Sequence, residues 1–297
     1  MMQFERLSLN DKLIFERFLS QRKHSLSAYA FTNIFIWRSI YDIFWAKINK
    51  SLCVFFKDRV GCFLYLPPLA KELDLKAVNK CFKIMNGFNK NPVISRIENV
   101  ETKDTGFYKN SGYEVVLGSY DYVCKKDSLV NLQGNSFKSK RCAVNYFVDN
   151  YSFKYRLYQE KDKKECLDLY SLWMKERKEK NKDRIYEKLL DDNFSVFKAT
   201  LDYYNKLNFI GRIIKINNDI KAVTLGYRLN KNTFVVLFEV CDLNFKGIAQ
   251  YIFREFCSEL NYKDINIMDD SGLDNLKRVK LSYRPYKRAE NFVVRNE

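Results

Sequence analysis

Apolar and polar residues recur along this chain with two different spacings, which predict a series of helices and strands. In the first half, apolar residues three or four apart predict helices, and short apolar or alternating runs between turn residues predict strands. Helices are predicted over residues 13–19, 32–41, 73–86 and 107–110. Strands are predicted over residues 43–48, 52–56, 62–66, 92–97, 113–117 and 120–124. Short turns join the first three strands, which predicts an antiparallel meander.

The second half of the chain repeats this order of elements, without a visible residue-level repeat. Helices are predicted over residues 136–147, 165–176, 192–204, 247–260 and 273–281, with a charged linker over residues 175–184. Strands are predicted over residues 153–158, 209–216, 220–227, 233–240, 265–268 and 292–295. We therefore expect two domains, residues 1–128 and residues 129–297, with the functional site in the second domain.

Each half has two helices, a three-stranded meander, a helix, a strand, a helix and a strand. This order resembles that of the GNAT acyltransferase fold, here in tandem. The predicted class is therefore α/β (α+β), with each domain built from a mixed, mostly antiparallel sheet flanked by helices.

The composition of the chain excludes several classes of protein. Of the 297 residues, 46% are hydrophobic and 30% are charged, which is typical of globular domains and excludes disorder and fibrous architectures. The longest run without a charged residue covers positions 25–37 and is too short and too polar for a membrane span. The first ten residues lack the apolar stretch of a signal peptide. We expect a cytoplasmic protein.

Cysteine and histidine usage limits the chemistry further. The eight cysteines contain no closely spaced pair, so a zinc ribbon is not expected, and buried reduced thiols are the simpler interpretation. His24 is the single histidine, and no nucleophile accompanies it in the sequence. A catalytic triad and a histidine-rich metal site are therefore not expected, and we predict no metal cofactor.

Basic residues outnumber acidic ones by 52 to 36, which gives a formal net charge of +16. The excess is concentrated near residues 138–141 and in residues 277–288, a stretch without an acidic residue. Such a surface fits a polyanion such as RNA, an anionic lipid surface or a phosphorylated cofactor. The alternative is a generally basic, solvated protein surface. The candidate polyanion-binding residues are Lys138, Lys140, Arg141, Asn145, Lys277, Arg278, Lys280 and Arg284.

A candidate binding turn lies between a predicted strand and the predicted helix at residues 247–260. Its residues Asn244, Lys246, Gly247 and Ala249 follow, in degenerate form, the turn that GNAT enzymes use to hold the pyrophosphate of coenzyme A. Small residues allow backbone N–H groups to approach phosphate at the positive end of a helix dipole. The alternative is that Gly247 only permits a tight turn.

Acidic residues follow two predicted strands of the second half. Glu239 stands at the end of an apolar strand, and Asp269 and Asp270 follow the neighbouring strand. A carboxylate in that position is costly to bury without a partner, and it can serve as a general base toward an attacking amine. We name Glu239 as the base. The alternative is an ion pair of Glu239 with Lys246 or Lys280.

Several stretches resemble the phosphatidylglycerol lysyltransferase C-terminal-like family, long known only as a domain of unknown function. The N-terminal one is Phe31-Thr32-Asn33-Ile34-Phe35-Ile36-Trp37-Arg38. The middle one combines Asp121-Tyr122-Val123 with Leu129, Leu132, Gly134, Lys138, Lys140, Arg141 and Asn145. The C-terminal ones are Phe238-Glu239 and the segment from Ile265 to Pro285. Met268 and Asn275 depart from the family pattern, which has an acidic residue and a glycine there.

The resemblance implies aminoacyl or acyl transfer, without the membrane-spanning flippase half of the lysyltransferases. Tyr283 lies in the last of these stretches, and we add it to the catalytic candidates. The leading hypothesis is a transferase that uses aminoacyl-tRNA or acyl-CoA as donor and an amine or hydroxyl as acceptor, for example a phospholipid headgroup. The reaction needs no metal and no covalent intermediate. The expected partners are tRNA and anionic lipid headgroups, with peripheral contact at the inner membrane face.

A second hypothesis belongs to another class of protein. The chain would be a non-catalytic module that binds RNA or an anionic membrane and has a degenerate GNAT fold. The departures from the family pattern near Ile267 and Met268 motivate it.

Overall fold

The first half of the chain begins with a short strand and two helices that precede a meander. The computed structural model describes residues 4–296. In it, helices and strands follow one another up to a long strand that ends at residue 125. They are β1 (Glu5–Arg6), α1 (Lys12–Leu19), α2 (Phe31–Ile36), β2 (Asp42–Ile48), β3 (Ser51–Lys57), β4 (Cys62–Leu64), α3 (Leu75–Phe88), β5 (Arg96–Glu101), α4 (Thr105–Asn110) and β6 (Tyr113–Lys125).

The second half starts with two helices and then repeats the same series. Its elements are α5 (Lys126–Asn131), α6 (Lys138–Asn150), β7 (Lys154–Leu157), α7 (Lys163–Lys180), α8 (Arg184–Asp202), β8 (Ile210–Ile216), β9 (Asp219–Arg228), β10 (Thr233–Cys241), α9 (Ile248–Glu259), β11 (Asp264–Asn266), α10 (Asp274–Leu281) and β12 (Lys287–Asn296).

From β1 to β6 and from β7 to β12 the order is the same: a strand, two helices, three strands, a helix, a strand, a helix and a strand. In both series the third meander strand pairs in parallel with the strand after the crossover helix, β4 with β5 and β10 with β11. A parallel pair requires such a crossover, and a helix supplies it in each case. The predicted tandem repeat of mixed, mostly antiparallel sheets with flanking helices is confirmed.

The chain forms two compact units whose boundaries differ from the expected domains. The first unit comprises Met1–Asp121, Asp269–Leu273 and Arg288–Glu297, and the second comprises Tyr122–Met268 and Asp274–Lys287. In the first unit β12 pairs with β5, and in the second unit the end of β6 pairs with β11. Strand β6, the last of the first series, therefore pairs with a strand of the second series. Strand β12, the last of the second series, pairs with a strand of the first. A domain boundary at residues 128 and 129 stays a prediction.

In the first unit, a buried network surrounds the single histidine. His24 Nδ1 lies 2.9 Å from Glu101 Oε2, and the backbone N–H of Ser25 donates to Glu101 Oε1 at 2.7 Å. Burial alone would raise the pKa of Glu101, but hydrogen bonds from His24, Lys103 and Ser25 outweigh it and lower the pKa to about 2. This network ties the loop after α1 to the end of β5, which is a structural role.

In the second unit, helices cover both faces of the sheet. On one face Tyr170 of α7 and Phe197 of α8 pack against Val223 and Val240 of the sheet. On the other face Phe147 of α6 and the buried side of α9 pack against the same strands. The sheet is therefore apolar on both faces, and a polar side chain on it needs a specific explanation.

The charged linker predicted at residues 175–184 is wrong, because most of it is helical. Helix α7 continues to Lys180 and α8 begins at Arg184. Lys, Glu and Arg are good helix formers, and the Asp183 carboxylate caps α8 by accepting a bond from the N–H of Tyr186 at 2.8 Å. The segment has no apolar periodicity because it buries nothing.

Three other predicted elements also differ from the structure. The strand expected at residues 92–97 starts only at Arg96, because Pro92–Ile94 form a 3-10 turn. The two strands expected at residues 113–117 and 120–124 are one strand, β6, which runs through Gly118. Helix α5 was not expected.

Cys142 is exposed and the other seven cysteines are buried. Within residues 4–296, no group of three or more His, Cys, Asp or Glu side chains is arranged so that it could hold a metal ion. In the same part of the chain, each helix is too short or too polar to traverse a bilayer.

Candidate active site

A bulge in β10 determines which face of the sheet Glu239 occupies. The register of β10 against β9 shifts between Val236 and Phe238, so Leu237 is the extra residue. Before the bulge, Val236 packs with residues of α9, whereas after it Phe238 packs on the α7 and α8 side. Cys241, two residues beyond Glu239, packs with residues of α6 and α9. The bulge therefore turns Glu239 toward α6 and α9.

The pairing between β10 and β11 covers only the start of β10. The parallel register runs from Thr233 to Val235 opposite Asp264 to Asn266, where β11 ends. Strand β10 continues to Cys241, so Glu239 lies beyond the last paired residue at the carboxyl end of the strands. Side chains in such a position are available to a ligand.

Glu239 is exposed to solvent, yet protein surrounds it closely. Desolvation by the surrounding protein raises the pKa of Glu239 to about 7, while the charges of Lys140 and Lys280 oppose the rise. A carboxylate with this pKa is ionised in part of the molecules near neutral pH, which suits a proton acceptor.

Lys140 of α6 carries one of these two charges and lies above an aromatic ring. Its Nζ lies 3.9 Å from the ring centroid of Tyr283, which is a cation–π contact. Tyr283 is buried, and its ring packs 4.6 Å from that of Phe253 in α9. Burial lowers the pKa of Lys140, whereas the charge of Glu239 raises it. Tyr283 thus holds the ammonium group near Glu239, and burial raises the pKa of its own hydroxyl well above the usual range.

Lys280 of α10 supplies the second positive charge that acts on Glu239. Its Nζ donates a hydrogen bond to the carbonyl of Ile267, just after β11. The backbone of Ile267 in turn donates to the carbonyl of Tyr122 at the end of β6, at 2.9 Å. The positive charge of Lys280 is therefore held by the sheet, and it lowers the pKa of Glu239.

The remaining predicted polyanion-binding residues fall into two groups. Arg141 donates to the carbonyls of Leu132 and Gly134, the latter at 2.7 Å, and so fastens the loop before α6. The others are exposed on α6, on α10 or just after α10: Lys138, Asn145, Lys277, Arg278 and Arg284. Their contact with a polyanion stays a prediction.

The turn before α9 has a steric reason for its glycine. Gly247 has a φ of +91°, and a Cβ built on it would lie 2.1 Å from the carbonyl oxygen of Ala143 in α6. The Asp242 carboxylate accepts hydrogen bonds from the backbone and the side chain of Asn244, at 3.1 and 2.9 Å. Lys246 Nζ lies 4.5 Å from the ring centroid of Tyr146, and Ala249 is half-buried. Donor binding by this turn stays a prediction.

Asp269 and Asp270 belong to the first unit, whereas Glu239 and Tyr283 belong to the second. Asp270 shapes a turn, since its carboxylate accepts a bond from the N–H of Gly272 at 3.0 Å and its carbonyl accepts one from Leu273 at 2.8 Å. A catalytic role for the two aspartates stays a prediction.

Sequence reasoning missed two features of the site. No residue type marks the bulge at Leu237, because residues 233–238 form an unbroken run of apolar and β-branched residues. The contact between Lys140 and Tyr283 joins positions far apart in the chain. The stretch with Lys140 and the stretch with Tyr283 both resemble the same family. This shared resemblance was the available signal that the two residues belong to one site.

The repeated order of elements defines an α/β protein of two GNAT-like domains in tandem. The chain belongs to the family Phosphatidylglycerol lysyltransferase, C-terminal, which matches residues 19–295. The resemblance noted in the sequence is thereby confirmed. No curated protein matches the chain.

Solved structures share the fold over the whole length of the chain. A conserved protein of unknown function from Bacteroides thetaiotaomicron VPI-5482 has 24% identity and a TM-score of 0.88, and the match covers 100% of both chains. L-PGS from Bacillus licheniformis has 13% identity and a TM-score of 0.65, with 97% of this chain and 92% of that chain covered. A tandem GNAT protein from the clavulanic acid biosynthesis pathway has 6% identity and a TM-score of 0.52, with 99% and 98% covered.

Proposed function

We propose that this protein transfers an aminoacyl group from aminoacyl-tRNA to an amine or hydroxyl acceptor, with Glu239 as the general base. The observation that carries the proposal is a solvent-exposed carboxylate at the carboxyl end of a strand, with a pKa raised to about 7 and the charges of two lysines acting on it. Membership of the lysyltransferase family supports the class of reaction.

In the proposed reaction, the acceptor's nitrogen or oxygen attacks the ester carbonyl of the aminoacyl group. Glu239 takes the proton of the attacking N–H or O–H as the new bond forms. The ester C–O bond then breaks, and the proton returns to the departing ribose oxygen, so Glu239 ends the cycle ionised. Lys140 and Lys280 favour the ionised carboxylate between cycles, because their charges lower its pKa.

Two observations favour tRNA over acyl-CoA as the donor. Gly247 is explained by the close approach of α6, and the carboxylate of Asp242 lies at the same turn, where it would repel a pyrophosphate. In contrast, Lys277 and Arg278 on α10 and Arg284 beyond it are exposed. Exposed cations suit a phosphate backbone.

The family name supports a phospholipid headgroup as the acceptor. A glycerol headgroup offers a hydroxyl, which is a nucleophile that requires a base. We propose that the protein meets this acceptor at the inner face of the cytoplasmic membrane.

The test is transfer of radiolabelled amino acids from a mixture of charged tRNAs to phosphatidylglycerol vesicles, with acetyl-CoA as an alternative donor in parallel. Glu239→Gln is expected to lower kcat/KM by about 100- to 10,000-fold, as for loss of a general base. Glu114→Gln is the matched control, because Glu114 is an exposed glutamate on β6. It should retain full activity.

Three outcomes would contradict parts of the proposal. Transfer that is unchanged in Glu239→Gln, with the variant folded, removes the base from Glu239. Transfer from acetyl-CoA alone replaces the donor. Absence of transfer, with equal binding of charged and uncharged tRNA that is lost at high salt, favours the non-catalytic binding module.

A further inference from the structure

Helices α7 and α8 form a helical hairpin. The end of the hairpin, where the two helices connect, is not part of the core. None of residues 175–189, here called the hairpin tip, is buried. The tip contains seven basic and four acidic residues. Helices of globular proteins derive most of their stability from an apolar face packed on the core, and this segment has none.

The hairpin tip is nevertheless a defined structure. Asp183 caps α8 through the N–H of Tyr186, and Asn181 accepts a bond from the N–H of Asp183 at 3.0 Å. Lys178 of α7 pairs with Asp191 of α8 at 2.6 Å. Hydrogen bonds and an ion pair thus fix a specific turn that is not buried. This indicates that the exposed surface of the tip has a role of its own.

The cations of the tip are largely unused within the chain. Five of them are exposed, and within residues 4–296 none of these five takes part in an ion pair: Lys175, Lys180, Lys182, Arg184 and Lys188. Three of the five lie at the turn: Lys180 ends α7, Lys182 lies between the helices and Arg184 begins α8. A partner with negative charge is therefore indicated.

An apolar side chain lies among these cations. Ile185, in the first turn of α8, is 81% exposed. Lys188 follows three residues later and therefore lies on the same face of the helix. Contact with phosphates does not lower the free energy of an exposed branched aliphatic side chain, but transfer into an apolar phase does.

We infer that the hairpin tip docks on an anionic lipid surface, with Ile185 entering the boundary of the acyl chains and the surrounding lysines contacting the headgroups. RNA fits less well, because the one aromatic residue of the tip, Tyr186, is half-buried, and the ring of Trp173 just before the tip is covered by Arg177 at 5.2 Å. Base stacking needs an open ring face. The inference concerns a surface separate from the Glu239 site and does not depend on the transfer reaction.

The experiment is flotation of the full chain with vesicles of equal parts phosphatidylcholine and phosphatidylserine, and with phosphatidylcholine alone. Phosphatidylserine supplies negative charge without the headgroup proposed as acceptor. We expect binding to the anionic vesicles only. Ile185→Ser should weaken it about tenfold, as for loss of part of a buried aliphatic side chain. Lys182→Gln with Lys188→Gln should weaken it about 25-fold, or about fivefold for each charge.

The chain offers matched controls for both variants. Leu13 on α1 is 79% exposed, so Leu13→Ser removes an equally exposed aliphatic side chain elsewhere. Lys50→Gln with Lys231→Gln removes two exposed lysines from other turns. Both controls should bind like the wild type, and so should Glu239→Gln, which separates this surface from the proposed active site.

The inference is overturned if the wild type does not float with anionic vesicles, or if Ile185→Ser binds as tightly as the wild type. It is also overturned if the lysine variants lose affinity for bulk tRNA while vesicle binding is unaffected, because the tip would then be an RNA surface.

Discussion

At the scale of single residues, two carboxylates of this protein have opposite environments. Glu101 accepts hydrogen bonds from the backbone of Ser25 and from the His24 ring, and its pKa is lowered to about 2. The pKa of Glu239 is raised to about 7, and lysines act on it through charge. A general base works best when its pKa lies near the working pH, so Glu239 suits proton transfer and Glu101 suits structure.

Replacing Lys140 should shift the pH dependence of transfer. In Lys140→Met the charge that lowers the pKa of Glu239 most is lost, so this pKa rises above its value of about 7. The acidic limb of the kcat/KM profile, which follows the ionisation of Glu239, then moves to higher pH, and activity lost at neutral pH returns in alkaline buffer. An increase of one unit, from about 7 to about 8, would reduce the ionised fraction at pH 7 about fivefold.

Lys138→Met is the control, because Lys138 is exposed on the same helix and should leave the profile unchanged. Lys140→Arg retains the charge and the contact with the Tyr283 ring, so it should restore most of the wild-type profile. If the profiles of Lys140→Met and the wild type coincide, Lys140 does not tune Glu239.

At the scale of elements, the bulge in β10 and the glycine before α9 decide how the site is built. The bulge at Leu237 turns Glu239 toward α6 and α9, and Gly247 lets the start of α9 touch α6. Helix α6 in turn carries Lys140. A shift of α6 by the width of a methyl group would therefore move a charge of the site as well as the packing.

Gly247→Ala should destabilise the protein by about 3 kcal/mol, because the methyl group meets the Ala143 carbonyl and the backbone conformation is strained. Gly112→Ala is the control, since Gly112, just after α4, has a φ of +82° but nothing within 4 Å of the added Cβ. It should cost only about 1 kcal/mol. Urea unfolding midpoints measure both, and equal losses would show that the close approach to α6 contributes nothing.

At the scale of the whole molecule, the charge of +16 is divided between cations that serve the fold and cations that remain exposed. Lys140 is held by the Tyr283 ring, Lys280 by the Ile267 carbonyl and Arg141 by the loop before α6. Exposed cations remain on α10 and on the hairpin tip. The net charge alone does not distinguish these two uses.

Binding of bulk tRNA should depend on salt through the exposed cations of α10. Each phosphate contact contributes about 0.7 to 0.9 to the slope of log K against log salt, so Lys277→Gln with Arg278→Gln should reduce the slope by roughly 1.5. Filter binding over a series of salt concentrations measures it. Lys50→Gln with Lys231→Gln should leave the slope unchanged. An unchanged slope in the α10 variant would remove α10 from the tRNA surface.

The sequence was sufficient for much of the fold, for physical reasons visible in particular elements. The meander strands at residues 209–240 and the helix that follows them were predicted within one or two residues, because apolar periodicity there reflects burial on the core. The two helices of the hairpin were predicted, but their charged ends on both sides of residues 181–183 were missed, since helical turns that bury nothing have no such periodicity. The exchange of β6 and β12 between sheets was missed as well, because strand pairing depends on contacts remote in sequence.

The sequence alone determined the element order, the tandem repeat, the family and the choice of Glu239 as a candidate, since each depends on local patterns or on motifs. Only the tertiary structure decided what those residues do together. It placed Lys140, Lys280 and Tyr283 around Glu239, gave Arg141 and Gly247 roles in packing, and left Ile185 exposed among cations. The pKa of a carboxylate depends on burial and on charges brought near it in space, and residue spacing along the chain does not specify these.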